Sequence, residues 1–195
     1  MTHKINYQFY YWGPLLCKFK LTKDEIKKLI KLCKKDKKLD KTKDLSAVIK
    51  HEYKINTLEL YKIICPYLSI YYEQIYPNYY GKKPEQKLQC NTAWVNYMAP
   101  GEVNSPHVHT GCNFSSVIYL KIPAALKKEK KQFLGTGAGP GAIQFIYGST
   151  SDKAINQVSP EIEEGDFFIF PHNLFHFVTP YKSKGERISI AANFV

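Results

Sequence analysis

Three histidines and one arginine in the second half of the chain have the types and spacing to do chemistry: His107 and His109 in Pro106-His107-Val108-His109, then His176 and Arg187. On a strand, a spacing of two points the His107 and His109 rings to one face. A single histidine is more often structural than a ligand; several converging in one half of a small chain suit a metal site. Imidazole serves iron, zinc, copper and nickel alike, so residue type leaves the metal open. Arg187 narrows the choice. It is the only arginine, the other 27 of the 28 basic residues being lysine. A guanidinium offers a planar fork of donors that matches a carboxylate, whereas an ammonium is a mobile point charge. The plain alternative is a lysine bias from an AT-rich genome, with Arg187 in a surface salt bridge. Arg187 stands 11 residues after His176, and Ser189, two further on, shares its strand face. Such a set could seat a keto acid, one end at iron and the distal carboxylate on Arg187 and the Ser189 hydroxyl.

The elements that must position these residues are legible as texture. From Gln89 onward, short runs rich in Val, Ile, Tyr and Phe alternate with Gly, Pro, Asn and Ser turns. Expected strands are Thr92–Met98, Ser115–Ile122, Ala142–Tyr147, Asp166–Phe170, His176–Thr179 and Arg187–Phe194. Strands at this spacing indicate an all-β sandwich or barrel. Glu164-Gly165-Asp166 reads as a turn delivering the buried run Phe167–Phe170, and with it Pro171-His172, to a rim. The first half reads differently. Ile5 to Lys20 is a strand pair, or a strand and a turn, broken at Gly13-Pro14. Thr22 with Glu25 three residues on is a capping-box spacing, and Ile26, Leu29, Ile30 and Cys33 follow at helical intervals. Thr57 to Tyr76 is a second helical stretch that Pro66 should kink or divide, and 78–86 is a connection. The division expected is therefore 1–88, a strand and helical elaboration, and 89–195, the β core, forming one compact domain overall. Gly135–Gly141 lacks the Lys-Ser/Thr of a phosphate loop and opens onto a strand, so it reads as a flexible loop.

Composition sets outer limits. At 195 residues and 44% hydrophobic, the chain can bury one substantial core. The net charge of +11 invites a nucleic-acid partner. The near absence of arginine argues against it, since the lysines cluster at 23–43, 82–87 and 127–131 as solvated faces and loops. Cys17, Cys33, Cys65, Cys90 and Cys112 are scattered, odd in number and without a CxxC pair, which fits buried thiols in a reducing compartment. No signal peptide is expected, and no apolar run reaches the ~18 residues needed to span a bilayer. The expected location is the cytoplasm, or a host's cytoplasm for a viral protein.

The motifs together carry a resemblance. Trp94-Val95-Asn96, Pro106-His107-Val108-His109, Ser115–Leu120, Gly165–Pro171, His176–Pro180 and Arg187–Ile190 resemble the 2-oxoglutarate–Fe(II) oxygenase family known from marine bacteria and their phages, over about 92–195. The resemblance implies a mainly β, double-stranded β-helix (jelly-roll, cupin-like) core with N-terminal helices packed on it. It implies Fe(II), 2-oxoglutarate as cosubstrate, O₂, and release of succinate and CO₂: an oxidoreductase of the dioxygenase kind. One departure matters. The broader superfamily places Asp or Glu two residues after its first histidine, and here that position is His109. One register gives a three-histidine site, His107, His109 and His176. In the other, His109-Thr110-Gly111 resembles the His-Thr-Gly of aspartyl and asparaginyl hydroxylases; glycine then replaces the carboxylate, as His-x-Gly also does in iron halogenases, and His107 stands outside the ligand set.

The remaining roles are expectations by position. Arg187, Ser189, Tyr119 and Asn96 would hold the cosubstrate; His172, Trp94 and Asn193 would line a substrate pocket; Lys127–Gly141 would be a lid. Cys112 is a soft ligand only if the protein is no oxygenase. The reading is an Fe(II)- and 2-oxoglutarate-dependent dioxygenase, a C–H hydroxylase. Its rivals are a three-histidine cupin dioxygenase or isomerase that takes no keto acid, and a non-catalytic metal-binding jelly roll. The substrate, a small molecule or a protein side chain, and the oligomeric state are not legible.

Overall fold

The computed structural model describes residues 5–11, 13–45, 47–83, 86–148 and 156–195. Strands β1 (Tyr7–Tyr11) and β2 (Leu15–Lys20) form an antiparallel hairpin around Gly13-Pro14. Thr22 then caps α1 (Lys23–Leu32): its hydroxyl accepts from the Glu25 amide at 3.3 Å, and Glu25 Oε2 accepts from the Thr22 amide at 2.7 Å. Two of the free backbone donors at the helix start are thereby satisfied. Two short 3-10 turns lead to β3 (Glu52–Lys54). Helix α2 (Thr57–Ser69) runs through Pro66 instead of ending there. Its buried stripe of Leu60, Ile64, Tyr67 and Leu68 holds the axis on the sheet, and one turn later the helix widens into a π segment over Ile70–Ile75. Helix α3 (Tyr76–Tyr80) ends at left-handed Gly81. Pro84 and Glu85, within the expected 78–86 connection, lie outside the described residues.

The β-rich half supplies β4 (Cys90–Met98), β5 (Asn104–His107), β6 (Phe114–Lys121), α4 (Ala124–Gln132), β7 (Ile143–Ile146), β8 (Gln157–Val158), β9 (Asp166–Pro171), β10 (Phe175–Val178) and β11 (Arg187–Phe194). All six expected strands are present, with ends shifted by a residue or two. Helix α4 was not expected; the lysine run 127–131 lies on it, and only Leu126 of its residues is buried.

Among the described residues every strand pairing is antiparallel, in a seven-stranded sheet ordered β1-β2-β9-β6-β11-β4-β3 and a four-stranded sheet ordered β5-β10-β7-β8. This is the mainly β, jelly-roll arrangement. Three of the larger sheet's strands come from residues 1–88, so the N-terminal elaboration is built into the sheet as well as packed on it. Alternation along β11 shows how the layers form. Ile188, Ile190, Ala192 and Phe194 pack toward α1 and α2, with Leu29, Leu60, Ile64 and Tyr71. Arg187, Ser189, Ala191 and Asn193 turn to the opposite face, toward the smaller sheet. There Tyr119, Phe168 and Phe170 meet Ile143, Phe145 and Val178 in a second core between the sheets. Among the described residues no helix is long and apolar enough to cross a membrane.

One turn illustrates how tightly the frame is drawn. Gly165, at φ +87°, joins the sheet to α1: it donates to Tyr119 O at 2.7 Å and accepts from the Leu21 amide at 2.8 Å. An added Cβ would stand 2.9 Å from Ile26 Cδ1 and 3.1 Å from Leu21 O. Gly165→Ala should therefore destabilise the fold by about 1–3 kcal/mol, from left-handed strain plus the clash. A chemical-denaturation midpoint equal to that of the unaltered protein would contradict this account of the turn.

Candidate metal centre

His176 sits in the middle of β10 and pairs directly with His107 on β5. Opposed residues of an antiparallel pair share a face, so pairing alone brings these two rings to a centroid separation of 4.3 Å. The His107 Nδ1–H donates to Ser105 O at 2.6 Å, and the His176 Nδ1–H donates to Leu174 O at 2.8 Å. Each bond fixes a tautomer with the lone pair on Nε2, the usual support for a metal-bound imidazole. His176 is 5% exposed and wedged between Phe170 and Phe145, at 4.9 and 5.8 Å between ring centroids.

His109 reaches the same point by another route. Strand β5 stops at His107, so the two-residue strand spacing does not place it. Instead the loop before left-handed Gly111 is tied to His172: the His109 amide donates to His172 O at 2.9 Å, and His172 Nδ1–H donates back to His109 O at 2.8 Å. The His109 ring hydrogen-bonds the Asn193 side chain, whose Oδ1 also accepts from Ser115 Oγ at 3.0 Å. His109 Nε2 thus stands 3.3 Å from His176 Nε2, and one ligand atom from each of His107, His109 and His176 lies within 4.8 Å of the others. The donor set fits a divalent transition metal: three neutral imidazoles, two with tautomers preset for coordination.

Burial keeps these rings neutral. Desolvation lowers the His107 pKa, takes that of His109 to about 3, and pushes that of His176 well below the ordinary value, the latter two also feeling neighbouring histidines. The sign follows directly. A histidine with a folded pKa below its unfolded value binds fewer protons in the fold, so stability rises with pH between those values. Glu52 opposes this: burial, then the Glu102 charge, raises its carboxyl to about 8 from 4.5, and its contribution fades as pH rises through that window. The metal-free protein should lose thermal stability from about pH 7 to about pH 5. In Glu52→Gln, which removes the opposing group, the loss should be larger. A flat profile in both proteins would show that the histidines protonate freely in the fold.

Arg187 lies in the same interior cavity as the three histidines, with Ser189, Tyr119 and Asn96. It is 2% exposed. Its Nη1–H donates to Gly141 O at 3.1 Å, its Nε–H has no partner, and its Cζ lies 5.4 Å from the Tyr119 ring centre. Among the described residues no carboxylate pairs with it, and burial lowers its pKa. The Tyr119 hydroxyl, also buried and unpartnered, is raised to about 12 chiefly by desolvation. A buried guanidinium and a phenol with open donors, and no anion of the protein's own, form a fit for an incoming carboxylate. Ser189 lies opposite both Asn96 and Tyr119 in register.

Several expectations need correction. His172 lies behind His109, holding its backbone, and lines neither cavity beside the histidines. Trp94 and Asn193 do line the outer cavity, whose volume is about 350 Å³. None of the segment Lys127–Gly141, expected as a lid, lines either cavity: Gly141 O accepts from Arg187 Nη1, and Gly139 O accepts from Thr179 Oγ1 at 2.6 Å. The cavity wall comes instead from Lys41, Leu45, Ala47 and Glu52. Lys130, expected to be solvated, is partly buried on α4; burial first, then the Arg187 charge, lowers it to about 8. Cys112 is a buried thiol 3.8 Å from Ser115 Oγ, outside the histidine cluster, and all five cysteines are free. Glu52 and Lys130 gave no signal in the sequence beyond their charge.

Comparison with known proteins agrees with this geometry. The sequence model of a family described as "Putative 2OG-Fe(II) oxygenase" matches residues 92–193. No curated protein matches the chain. Among solved structures, a prolyl-4-hydroxylase from Pseudomonas putida is similar at 14% identity and TM-score 0.53, covering 99% of this chain and 92% of that one. A prolyl hydroxylase from Trichoplax adhaerens, in complex with a hypoxia inducible factor peptide fragment, is similar at 11% identity and TM-score 0.56, covering 92% and 82%. The non-heme alpha ketoglutarate dependent carbocyclase SnoK is similar at 10% identity and TM-score 0.55, covering 94% and 80%. At these identities the three likenesses show the fold alone.

Proposed function

The chain belongs to the 2OG-Fe(II) oxygenase family, and on that premise we propose that it is a hydroxylase in which His107, His109 and His176 hold Fe(II) and Arg187 anchors 2-oxoglutarate. Bound iron supplies O₂ activation, coupling decarboxylation of 2-oxoglutarate to succinate with oxidation of a C–H bond. The protein's own part is positional and electrostatic. Backbone carbonyls of Ser105 and Leu174 hold two imidazole tautomers. His172 holds the His109 backbone, and Asn193 meets its ring. Arg187 holds the distal carboxylate, with Ser189 and Tyr119 offering hydroxyls and Asn96 beside them. Lys130 adds positive charge at that end, and Phe145 and Phe170 keep water from His176.

The observation that carries this reading is the buried, unpaired Arg187 in one cavity with the three histidines. A cupin that takes no keto acid, or a metal-binding jelly roll without turnover, leaves that guanidinium unexplained. The test is anaerobic titration of the Fe(II)-loaded protein with 2-oxoglutarate, followed by succinate assay in air with candidate substrates. A visible charge-transfer band and a hydroxylated product support the proposal. Iron binding with no band on adding 2-oxoglutarate would transfer the protein to the keto-acid-free class.

A further inference from the structure

Cross-strand register places one polar row on the inner face of the larger sheet. Tyr119 on β6 opposes Ser189 on β11, Ser189 opposes Asn96 on β4, and Asn96 opposes Glu52 on β3. One end of the row is the Arg187 subsite. The other end, at Glu52, opens on the cavity of about 350 Å³ that His107 and His109 also line.

Glu52 is 1% exposed, and its Oε2 has no hydrogen-bond partner. A buried carboxyl without a partner costs stability, so a polar occupant is its natural complement. The Oδ1 atoms of Asn96 and Asn104 are likewise buried and unpartnered. All three atoms are acceptors, whereas the unpartnered donors Arg187 Nε and Tyr119 OH belong to the far end of the row. Charge around Glu52 is also locally acidic in a chain of net charge +11, with Glu102 and Asp40 acting on it against Lys41. Glu102 is itself committed to the Ala99 and Lys50 amides, and Lys41 to Thr92 Oγ1 and the Trp94 face. The open acceptor function is that of Glu52 and the two asparagines.

We infer that Glu52 is the substrate-anchoring carboxylate, and that the substrate is a small molecule or side chain bearing a protonated amine. An ammonium has donors and no acceptor, matching the open acceptors of Glu52 and Asn104, which line the same cavity, and it would return Glu52 to its ionised form. Binding there holds the rest of the molecule against the histidines. This inference rests on the oxygenase reading for the meaning of that position.

The test uses the metal-loaded protein with 2-oxoglutarate, kept anaerobic, and four probes: cyclohexylamine and pentylamine, with cyclohexanol and cyclohexanecarboxylate as neutral and anionic counterparts. Calorimetric titration and saturation-transfer NMR report binding. At least one amine should bind more tightly than both counterparts and lose roughly tenfold or more in Glu52→Gln, as for a charge-assisted hydrogen bond. Asn104→Ala should weaken the same amine by a smaller factor. Glu52→Gln should melt no lower than the unaltered protein, since glutamine replaces a buried carboxyl raised to about 8. No amine binding, equal amine binding by Glu52→Gln, or preference for the carboxylate each overturns the inference. Titration of 2-oxoglutarate separates the two levels. Its failure to bind the unaltered protein would sink the oxygenase reading, whereas normal binding beside failed amine binding sinks the Glu52 inference alone.

Discussion

His176→Ala should abolish Fe(II) binding and succinate formation together, with at least a roughly hundredfold loss of metal affinity. Loss of an outer partner of a metal-bound histidine already costs 10–100-fold, and loss of the ligand exceeds that. His176 is also the best-buried of the three rings, so alanine leaves a gap between Phe145 and Phe170. Its thermal unfolding must therefore be measured beside the metal titration, to separate a lost ligand from a lost fold. His107→Ala and His109→Ala extend the test. With three ligands, both lose iron to a similar degree. An unchanged iron affinity in His107→Ala would instead establish the register in which His109 and His176 act as a pair. His172→Ala, which removes only a backbone tie behind His109, should weaken metal binding by a smaller factor.

Arg187→Lys should raise the dissociation constant for 2-oxoglutarate by roughly ten- to a hundredfold, from about 1.5–3 kcal/mol for a charge-assisted contact that ammonium geometry reproduces poorly. Metal affinity should not change. The structure adds a sharper consequence. Without cosubstrate, Arg187 is a buried cation with an unpartnered Nε and, among the described residues, no paired carboxylate. Replacing an unpaired buried charge with an apolar side chain removes a desolvation cost. Arg187→Met should therefore melt higher than the unaltered protein when cosubstrate is absent, yet fail to gain stability when 2-oxoglutarate is added. If Arg187→Met melts lower and still responds to 2-oxoglutarate, the arginine is a structural residue and the anion site lies elsewhere.

Local patterns carried much of this protein into view. Alternation along Arg187–Phe194 set Arg187 and Ser189 on one strand face, and β11 keeps them there, buried between the sheets. The spacing of Thr22 and Glu25 marked a helix start, because a capping box is completed within four residues. The three histidines stood out by type, and Arg187 stood out against 27 lysines. Each signal is written in neighbouring residues or in residue counts, which a chain displays before it folds.

Other features depend on residues distant in sequence. The spacing of His107 and His109 suggested one strand, but β5 ends between them, and the backbone of His172, 63 residues away, sets the course of the loop. His172 itself reads as a pocket residue until its Nδ1 is seen to serve His109. Pro66 reads as a kink or a boundary, and α2, with one stripe buried, continues through it. Lys130 reads as solvated until α4 brings it within the field of Arg187. Glu52 is one acid among 17 in the sequence, and only the pairing of β3 with β4 sets it in the row that begins at Tyr119. The sequence by itself determined most of the strands, the first helix cap and the chemistry that its histidines and lone arginine can do. The tertiary structure decided which side chains face one another across strands and which lose their water, because pairing register and burial are properties of contacts between segments and have no local sequence signature.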